Sequence, residues 1–421
     1  MIAPLLFLLA GLGWSRRLNP GATISLWLAE SLLLGSGVAA LALLLLDTIR
    51  IPWTAGALLL ATAVIAVAGF APGRRLTSPS EAPPKARPSP FVPLIHATTA
   101  ALVIYHATAL YVWDPALRVI ARRDVFFIWA YKAHLFFVEH AVPWRFLAAL
   151  PNDFSHPDYP VLVPLLFDTQ SVLTGAWRPE AFAWIDTALA AALLVIVQRC
   201  LRDDYPPVFA ALGTLALSGC ALLPWPGFAD GPLVSYSASA ALLLRSRTDV
   251  GARIAGVLLA LSAMSKNEGM AFVVATAVAL AVCDRKPLRA LATPAVVIAA
   301  WLVVRSSLGL QSDLFAPGLL SRIPHNLALF PKAFSNIVAY QPLAWIGALI
   351  ALMLAPGEHV RRERFLLILA ALQLSFYLAA YAVTPLDVVG HVNGSWDRVS
   401  SHVTMLLAFA GVTSIGETLR R

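Results

Sequence analysis

The sequence is poor in charged residues and lacks the common nucleotide-binding and zinc-protease motifs. Asp, Glu, Lys and Arg make up only 13% of the 421 residues, whereas 59% are hydrophobic. A soluble domain usually carries about 25% charged residues, so this composition excludes a soluble globular protein. There is no Walker loop, dinucleotide fingerprint or HExxH sequence, which argues against a nucleotide-driven motor and a membrane zinc protease.

Cysteines and long basic stretches are also scarce. Cys200, Cys220 and Cys283 are the only cysteines, and their spacing matches neither a CxxC motif nor a metal site. The formal net charge is +8, but Lys and Arg fall in small clusters between apolar runs rather than on one continuous face. We therefore predict that the basic clusters set the membrane topology and that the protein binds no nucleic acid.

Apolar runs recur from end to end of the chain. A helix needs about 20 apolar residues to cross the hydrocarbon core of a bilayer. The sequence therefore predicts an all-α polytopic membrane protein with roughly twelve or thirteen membrane helices. It divides into N-terminal membrane spans at 1–71, a linker at 72–90 and a larger membrane region at 91–421. The apolar start at 2–14 has no basic residue ahead of it, so we expect it to stay in the mature chain.

Charge bias predicts which segments face the cytoplasm. The linker at 72–90 is rich in Pro and Ser and carries four basic residues, which place it inside. If Phe91–Trp113 then crosses outward, residues 114–160 form a long first outer loop that concentrates aromatics, histidines and acids. If 161–177 also crossed the membrane, Arg199 and Arg202 would lie outside the cytoplasm, against the positive-inside rule. We therefore predict that 161–177, which contains Pro164, Asp168 and Gln170, enters the membrane without crossing it.

This topology gathers polar motifs on one face. The clusters at 245–253, 284–289, 361–364 and 420–421 fall inside, as the positive-inside rule prefers. Three motifs, at 228–230, 266–269 and 385–398, then share the outer face with the loop at 114–160. Such a convergence of dispersed polar residues predicts a functional site.

The outer loop carries an acid followed by an aromatic and basic stripe. A helix starting near Asp124 would place Val125, Trp129, Lys132 and Phe136 on one face. Lys132 would then either extend to the lipid headgroups from an interfacial helix or neutralise a phosphate. Spacing alone favours the headgroup interpretation.

Two further motifs carry carboxylates beside prolines. In His156-Pro157-Asp158-Tyr159-Pro160 the prolines stiffen the backbone, which suits a rigid turn as well as a site. Asp230 stands at the start of an apolar run, where a carboxylate can cap a helix. Taken alone, capping is the favoured role for Asp230.

The last two motifs combine opposite charges. Lys266-Asn267-Glu268-Gly269 separates two short apolar segments. It is either a turn that carries a surface ion pair or a group of charged residues near membrane depth, where charges usually have a function. Ser395-Trp396-Asp397-Arg398 precedes the final apolar run, which contains His402. The planar guanidinium of Arg398 is suited to bidentate phosphate binding.

In order and approximate spacing, these motifs resemble those of bacterial multi-pass glycosyltransferases of the C superfamily (GT-C). The resemblance covers about residues 91–415 and is broadly to the protein O-mannosyltransferases (family 39) and the lipid A aminoarabinose transferase. It implies a GT-C-like bundle with a long first catalytic outer loop and interfacial helices. It also implies an inverting transfer of a sugar from a polyprenyl-phosphate-linked donor to an envelope glycan, lipid or protein. The location implied is the bacterial cytoplasmic membrane, with the active site facing outward.

The resemblance assigns roles to individual residues. Asp124 would be the general base, because a carboxylate can remove the proton of an acceptor hydroxyl. Relatives often carry a second adjacent acid, but Val125 stands there, so Asp158, Asp230 or Glu139 would supply it. The donor phosphate would be bound by Lys132, Lys266 and Arg398. Substrate contacts would come from Trp129, His156, Tyr159, Glu268 and His402.

Two alternatives stay open at this point. Some members of the superfamily bind a divalent cation, and Asp124 with Asp230 are the residues that would hold one here. A transporter or flippase of a lipid-linked sugar would also line its path with charged residues. Transporters often show two-fold repeats, however, and the sequence contains no second copy of His-Pro-Asp-Tyr-Pro.

Overall fold

The computed structural model describes residues 2–71, 89–113, 124–283, 288–310, 318–335 and 342–421. Within these ranges the chain is helical, with no β-strand. The N-terminal half contains α1 (Ala3–Leu18), α2 (Ile24–Thr48), α3 (Ala55–Gly69), α4 (Phe91–Trp113), α5 (Tyr131–Glu139), α6 (Trp144–Leu147), α7 (Leu162–Thr174), α8 (Ala181–Asp204) and α9 (Pro207–Ala221).

The remaining helices complete the bundle. They are α10 (Asp230–Arg245), α11 (Asp249–Ser265), α12 (Asn267–Val282), α13 (Leu288–Leu308), α14 (Ile323–Phe334), α15 (Pro342–Leu354), α16 (Gly357–Val383), α17 (Val388–Val399) and α18 (Ser401–Arg420). A π-helical turn, Val125–Ala130, precedes α5, and short 3-10 turns cover Leu150–Ser155 and Leu319–Arg322.

The prediction of an all-α membrane protein is confirmed. In the described part of the chain, six helices are long and apolar enough to cross a membrane, namely Ile24–Thr48, Phe91–Ala109, Ala181–Asp204, Arg289–Leu308, Gly357–Val383 and Ser401–Arg420. The same described residues include five shorter apolar helices of 10–17 residues. The count of roughly twelve or thirteen crossings and the GT-C-like arrangement stay predictions, because a helix of fewer than about 17 residues does not span a bilayer unaided.

The segment predicted to enter the membrane without crossing it forms α7. This helix has 13 residues, which corresponds to a length of about 20 Å against about 30 Å of hydrocarbon. Every residue from Leu162 to Val172 is buried against protein. Polar residues such as Asp168 and Gln170 are therefore shielded from lipid, and Gln170 accepts hydrogen bonds from the backbone N–H groups of Ile2 and Ala3.

Helices α1 and α2 pack at backbone distance. A Cβ atom placed on Gly35 would lie 1.7 Å from the carbonyl oxygen of Phe7, and one on Gly11 would lie 1.9 Å from that of Ser31. Glycine permits this approach, which is typical of helix pairs in membranes. Glu30 of α2 accepts 2.8 Å hydrogen bonds from Ser15 and Asn19, so its buried carboxylate is satisfied between the two helices.

Helix α10 connects two ionic clusters at opposite ends of the bundle. Asp230 is its first residue and Arg245 its last, which places them about 22 Å apart along the axis. Arg245 bonds to Glu363 and Asp204 at 2.8 Å. The charged residues at 245 and 361–364 thus lie at one end, and those at 230, 266 and 398 lie at the other. Which end faces the cytoplasm stays a prediction.

Candidate functional site

Arg398 joins two carboxylates from distant parts of the chain. Its Nη2 atom lies 2.7 Å from Oδ2 of Asp124, and its Nη1 atom lies 3.5 Å from Oδ2 of Asp230. Asp124 immediately precedes the π-helical turn at Val125–Ala130, and Arg398 lies in the last turn of α17. We call residues 124–160, the described part of the predicted outer loop, the loop segment. The Asp124 side chain is 41% exposed, whereas that of Asp230 is 2% exposed. One guanidinium therefore links a solvent-accessible acid to a buried acid.

Lys266 supplies a second cation to the same place. Its Nζ atom lies 3.5 Å from Asp230 Oδ1 and 2.8 Å from Glu268 Oε1. The Lys266 side chain is only 8% exposed, so the surface ion pair considered for this motif is not found. We call the five residues Asp124, Asp230, Lys266, Glu268 and Arg398 the ionic network.

Local backbone geometry positions Lys266. The residue is extended, with φ −165° and ψ 160°, between the end of α11 and the start of α12. The two helices pack closely beside this residue. A Cβ atom placed on Gly269 would lie only 1.8 Å from the carbonyl oxygen of Ser262. The glycine of the motif is thus required for the packing that turns Lys266 toward Asp230.

Asp230 does not cap its helix. Its two oxygen atoms are buried and accept no hydrogen bond of ordinary geometry from the described residues. Each instead faces a cation at 3.5 Å, Lys266 on one side and Arg398 on the other. The capping role favoured by the sequence is therefore wrong, because tertiary packing brings two cations to this carboxylate.

Electrostatics keep both cations charged. Burial by itself would lower the pKa of Lys266, but Asp230 and Glu268 outweigh it and raise that pKa above its usual range. The same balance raises the pKa of Arg398, where Asp230 and Asp124 oppose the effect of burial. The ionic network therefore presents two fixed positive charges to any anion that reaches it.

Lys132 is buried rather than extended to lipid headgroups. Its side chain is fully buried, and its Nζ atom donates a 2.8 Å hydrogen bond to the carbonyl oxygen of His156. Burial lowers the pKa of Lys132 to about 7, although the charge of Asp158 opposes this shift. The headgroup interpretation of the aromatic and basic stripe is therefore wrong.

Three rings stack beside the Lys132 amino group. Trp129 and Tyr159 are 5.6 Å apart between ring centroids and nearly parallel, and His156 stacks on Tyr159 at 5.0 Å. Lys132 lies 5.4 Å from the centroid of Trp129 and 5.7 Å from that of Tyr159. We call Trp129, Tyr159 and His156 the aromatic stack. Its members come from two motifs of the loop segment.

Asp158 connects the loop segment to the ionic network. Its Oδ2 atom accepts a 2.8 Å hydrogen bond from the side chain of Asn267, which stands between Lys266 and Glu268. Asp158 is buried, so this contact fixes the rigid His-Pro-Asp-Tyr-Pro turn against the start of α12. The motif therefore acts as a rigid turn and also lies next to the ionic network.

His402 lies behind the ionic network, in the first turn of α18. Its Nε2 atom is 2.6 Å from the hydroxyl of Tyr377, and its ring packs edge-on against Phe272. His402 is 1% exposed. Its predicted contact with substrate would therefore have to pass through Tyr377 or require movement of the helix.

The sequence reasoning missed two residues that hold the site. Asp186 of α8 accepts a 2.9 Å hydrogen bond from the backbone N–H of Gly227, in the loop that leads to Asp230. Phe228 of the same loop places its ring 4.2 Å from the guanidinium carbon of Arg398. A lone acid inside an apolar run is the signal that marks Asp186, since such residues are costly in membranes.

The described residues contain no group of three or more His, Cys, Asp or Glu side chains that could hold a metal ion. Asp124 and Asp230, the two predicted ligands, both contact Arg398. A divalent cation held by both would therefore have to displace the guanidinium. Metal binding by this pair stays a prediction.

No protein-family model, curated protein or solved structure matches the chain. The resemblance in motif order is therefore not supported by a family assignment. The activity has to be inferred from the ionic network, the aromatic stack and their position at one end of the bundle.

Proposed function

We propose that the protein is a membrane glycosyltransferase. It transfers a sugar from a polyprenyl-phosphate donor to an envelope glycan, lipid or protein on the extracytoplasmic side, with inversion at the anomeric carbon. One observation carries the proposal. The accessible carboxylate of Asp124 shares the Arg398 guanidinium with the buried Asp230, so a base and phosphate-binding cations meet at one place.

The donor phosphate is bound by Arg398 and Lys266. In the structure both cations contact carboxylates. Phosphate oxygens can take the place of Asp124 by forming bidentate hydrogen bonds to the planar guanidinium of Arg398, while Lys266 contributes a single positive charge. Asp230 is buried and holds both cations in position before the donor arrives. Because the groups are preorganised, the negative charge that develops on the leaving phosphate is stabilised without rearrangement.

Donor binding also releases the base. When phosphate binds Arg398, the Asp124 carboxylate loses its ion pair and is free to contact an acceptor hydroxyl. Its carboxylate then removes the proton from an acceptor hydroxyl as the hydroxyl oxygen bonds to the anomeric carbon. The bond from that carbon to the phosphate oxygen breaks, and the electron pair leaves with the polyprenyl phosphate. Attack opposite the phosphate inverts the configuration.

The aromatic stack supports the sugar side of the site. Ring faces are apolar and suit the faces of pyranose rings, and Tyr159 and His156 are only partly buried. Lys132 is buried and bonded to the His156 carbonyl. We therefore assign Lys132 to holding the stack, in place of the phosphate contact implied by the resemblance.

The test combines activity and a matched control. Purified protein in lipid nanodiscs is incubated with a panel of polyprenyl-phosphate sugars and envelope extracts, and glycosylated products are detected by mass spectrometry. Asp124→Asn should lower transfer by at least about 100-fold, the lower range for a general base. Asp153→Asn, an exposed acid in the same loop segment, should leave transfer unchanged.

Other outcomes would contradict the proposal. Transfer retained by Asp124→Asn would remove this residue from the mechanism. Movement of a labelled lipid-linked sugar across proteoliposomes, with no product in any acceptor extract, would support the transporter alternative.

A further inference from the structure

A cavity of about 610 Å³ opens at the end of the bundle opposite the ionic network. Its wall is formed by the last residues of α8 and α10, the turn that follows α10, and the first turns of α16. Two of these helices, α8 and α16, are long enough to cross a membrane. The cavity therefore lies where candidate spans end, at the level expected for lipid headgroups.

Arginines outnumber carboxylates in the lining of this cavity. The lining contains Arg245, Arg247, Arg361 and Arg362, against the carboxylates of Asp203, Asp204 and Glu358. Asp203 pairs at 3.0 Å with Arg199, which is not part of the lining. Arg245 pairs in the same way with Glu363, also outside the lining, so the wall and its partners together keep an excess of one positive charge.

The arginines fall into two kinds. Arg245 is buried and held by Glu363 and Asp204, and Arg362 also pairs with Asp204. Within the described ranges, no carboxylate forms an ion pair with Arg247 or Arg361. Arg245 and Arg362 therefore serve as fixed wall groups, while Arg247 and Arg361 are available to an anion.

The turn after α10 has an unusual backbone conformation at Arg247. Arg247 has a φ of +59°, which residues other than glycine rarely adopt. It is flanked by the hydroxyl groups of Ser246 and Thr248, which also line the cavity. Thr248 accepts a hydrogen bond from the Gly251 backbone and caps α11. The positive end of that helix therefore adds to the field of the arginines.

We propose that this cavity binds a phosphate-bearing anion between Arg247 and Arg361. Guanidinium groups bind phosphate oxygens bidentately, and basic pockets at the cytoplasmic ends of membrane helices bind acidic headgroups. The arginine clusters predict that this end faces the cytoplasm. The anion is either the phosphodiester headgroup of an acidic phospholipid or a free phosphate, and binding is independent of the sugar-transfer proposal.

The test compares two sources of phosphate and two double variants. Lipid binding is measured by native mass spectrometry with phosphatidylglycerol and phosphatidylcholine of equal chain length. Free phosphate is measured by calorimetry on the same protein in neutral detergent. Arg247→Gln/Arg361→Gln should weaken binding of the anion at least about tenfold, which corresponds to about 1.4 kcal/mol. Arg253→Gln/Arg364→Gln removes the same charge from α11 and α16 outside the cavity lining and should keep wild-type affinity.

The outcomes separate the sources and can overturn the proposal. A preference for phosphatidylglycerol that is lost in Arg247→Gln/Arg361→Gln and kept in Arg253→Gln/Arg364→Gln identifies a lipid headgroup. Calorimetric binding of inorganic phosphate that is lost and kept in the same two variants identifies a free anion. Equal losses in both double variants would show general attraction to charge and overturn the proposal, as would the absence of binding in both arms. Arg247→Lys/Arg361→Lys keeps the charge and should retain most of the affinity, which guards against a loss caused by misfolding.

Discussion

Arg398 Nη2 lies 2.7 Å from Asp124 Oδ2 although 274 residues separate the two in sequence. This ion pair links the loop segment to the end of α17, and through Asp230 it reaches α10 as well. An anion that engages Arg398 therefore acts on three elements at once. The proposed mechanism uses this link, because the same contact that binds phosphate frees the base.

Removal of the buried acid should destabilise the protein. Asp230→Asn leaves Lys266 and Arg398 close together without the carboxylate between them, and loss of one partner of a buried ion pair costs about 3 kcal/mol. We expect a lower melting temperature in detergent and loss of sugar transfer. Asp249→Asn, an exposed acid in the first turn of α11, should change neither. In Asp230→Asn/Lys266→Met part of the stability should return, and a further loss would contradict this account of the charges.

Stability should depend on pH through Lys132. Its pKa is lowered from its ordinary value of 10.5 to about 7, chiefly by burial. Between these values the unfolded chain holds a proton that the folded chain has released, so stability rises with pH by at most about 1.4 kcal/mol per unit. Lys132→Met should reduce the slope of melting temperature against pH, measured from pH 7 to 10.

The matched control for this prediction is Lys332→Met, which removes an exposed lysine from α14. It should leave the slope of melting temperature against pH unchanged. A slope that survives in Lys132→Met would show that other groups produce the pH dependence.

The close approach of α11 and α12 should not tolerate a methyl group. Gly269→Ala would place Cβ 1.8 Å from the Ser262 carbonyl, so the helices must separate and Lys266 must shift. We expect a loss of about 1–3 kcal/mol, as for other overpacked sites, together with reduced transfer. Gly56→Ala has no atom within 4 Å of the new Cβ and should be neutral or slightly stabilising. Thermal unfolding of both variants checks the pair, and equal stability would contradict the tight packing of Gly269 against the neighbouring helix.

Asp186 should act by positioning Asp230. Asp186→Ala removes the acceptor for the Gly227 N–H and loosens the loop that carries Phe228, so transfer should fall by about tenfold through misplacement of the network. Asp186→Asn keeps an oxygen acceptor and should retain most of the activity. Kinetics of both variants at saturating donor provide the measurement. Equal loss in Asn and Ala would instead assign a role to the charge itself.

Much of the helical framework could be predicted from the sequence, since long apolar runs have few alternatives to helices in a bilayer. Phe91–Trp113 is a helix over the predicted residues, and α7 has the short length expected of 161–177. Asp186 was missed because the sequence shows that an acid in an apolar helix is energetically unfavourable but does not show that the Gly227 N–H is its partner. Lys132 was placed at headgroups because periodicity reports a shared face and not what covers that face.

The sequence by itself determined the helices of the described residues and their suitability for a membrane, because low charge and continuous apolar runs leave few other ways to satisfy the backbone. It also determined which residue types were available for binding and proton transfer. Only the tertiary structure decided that Asp230 faces Lys266 and Arg398 and that Lys132 lies beneath a stack of rings. These contacts join residues far apart in the chain, and their energies depend on burial and distance, which local sequence does not encode.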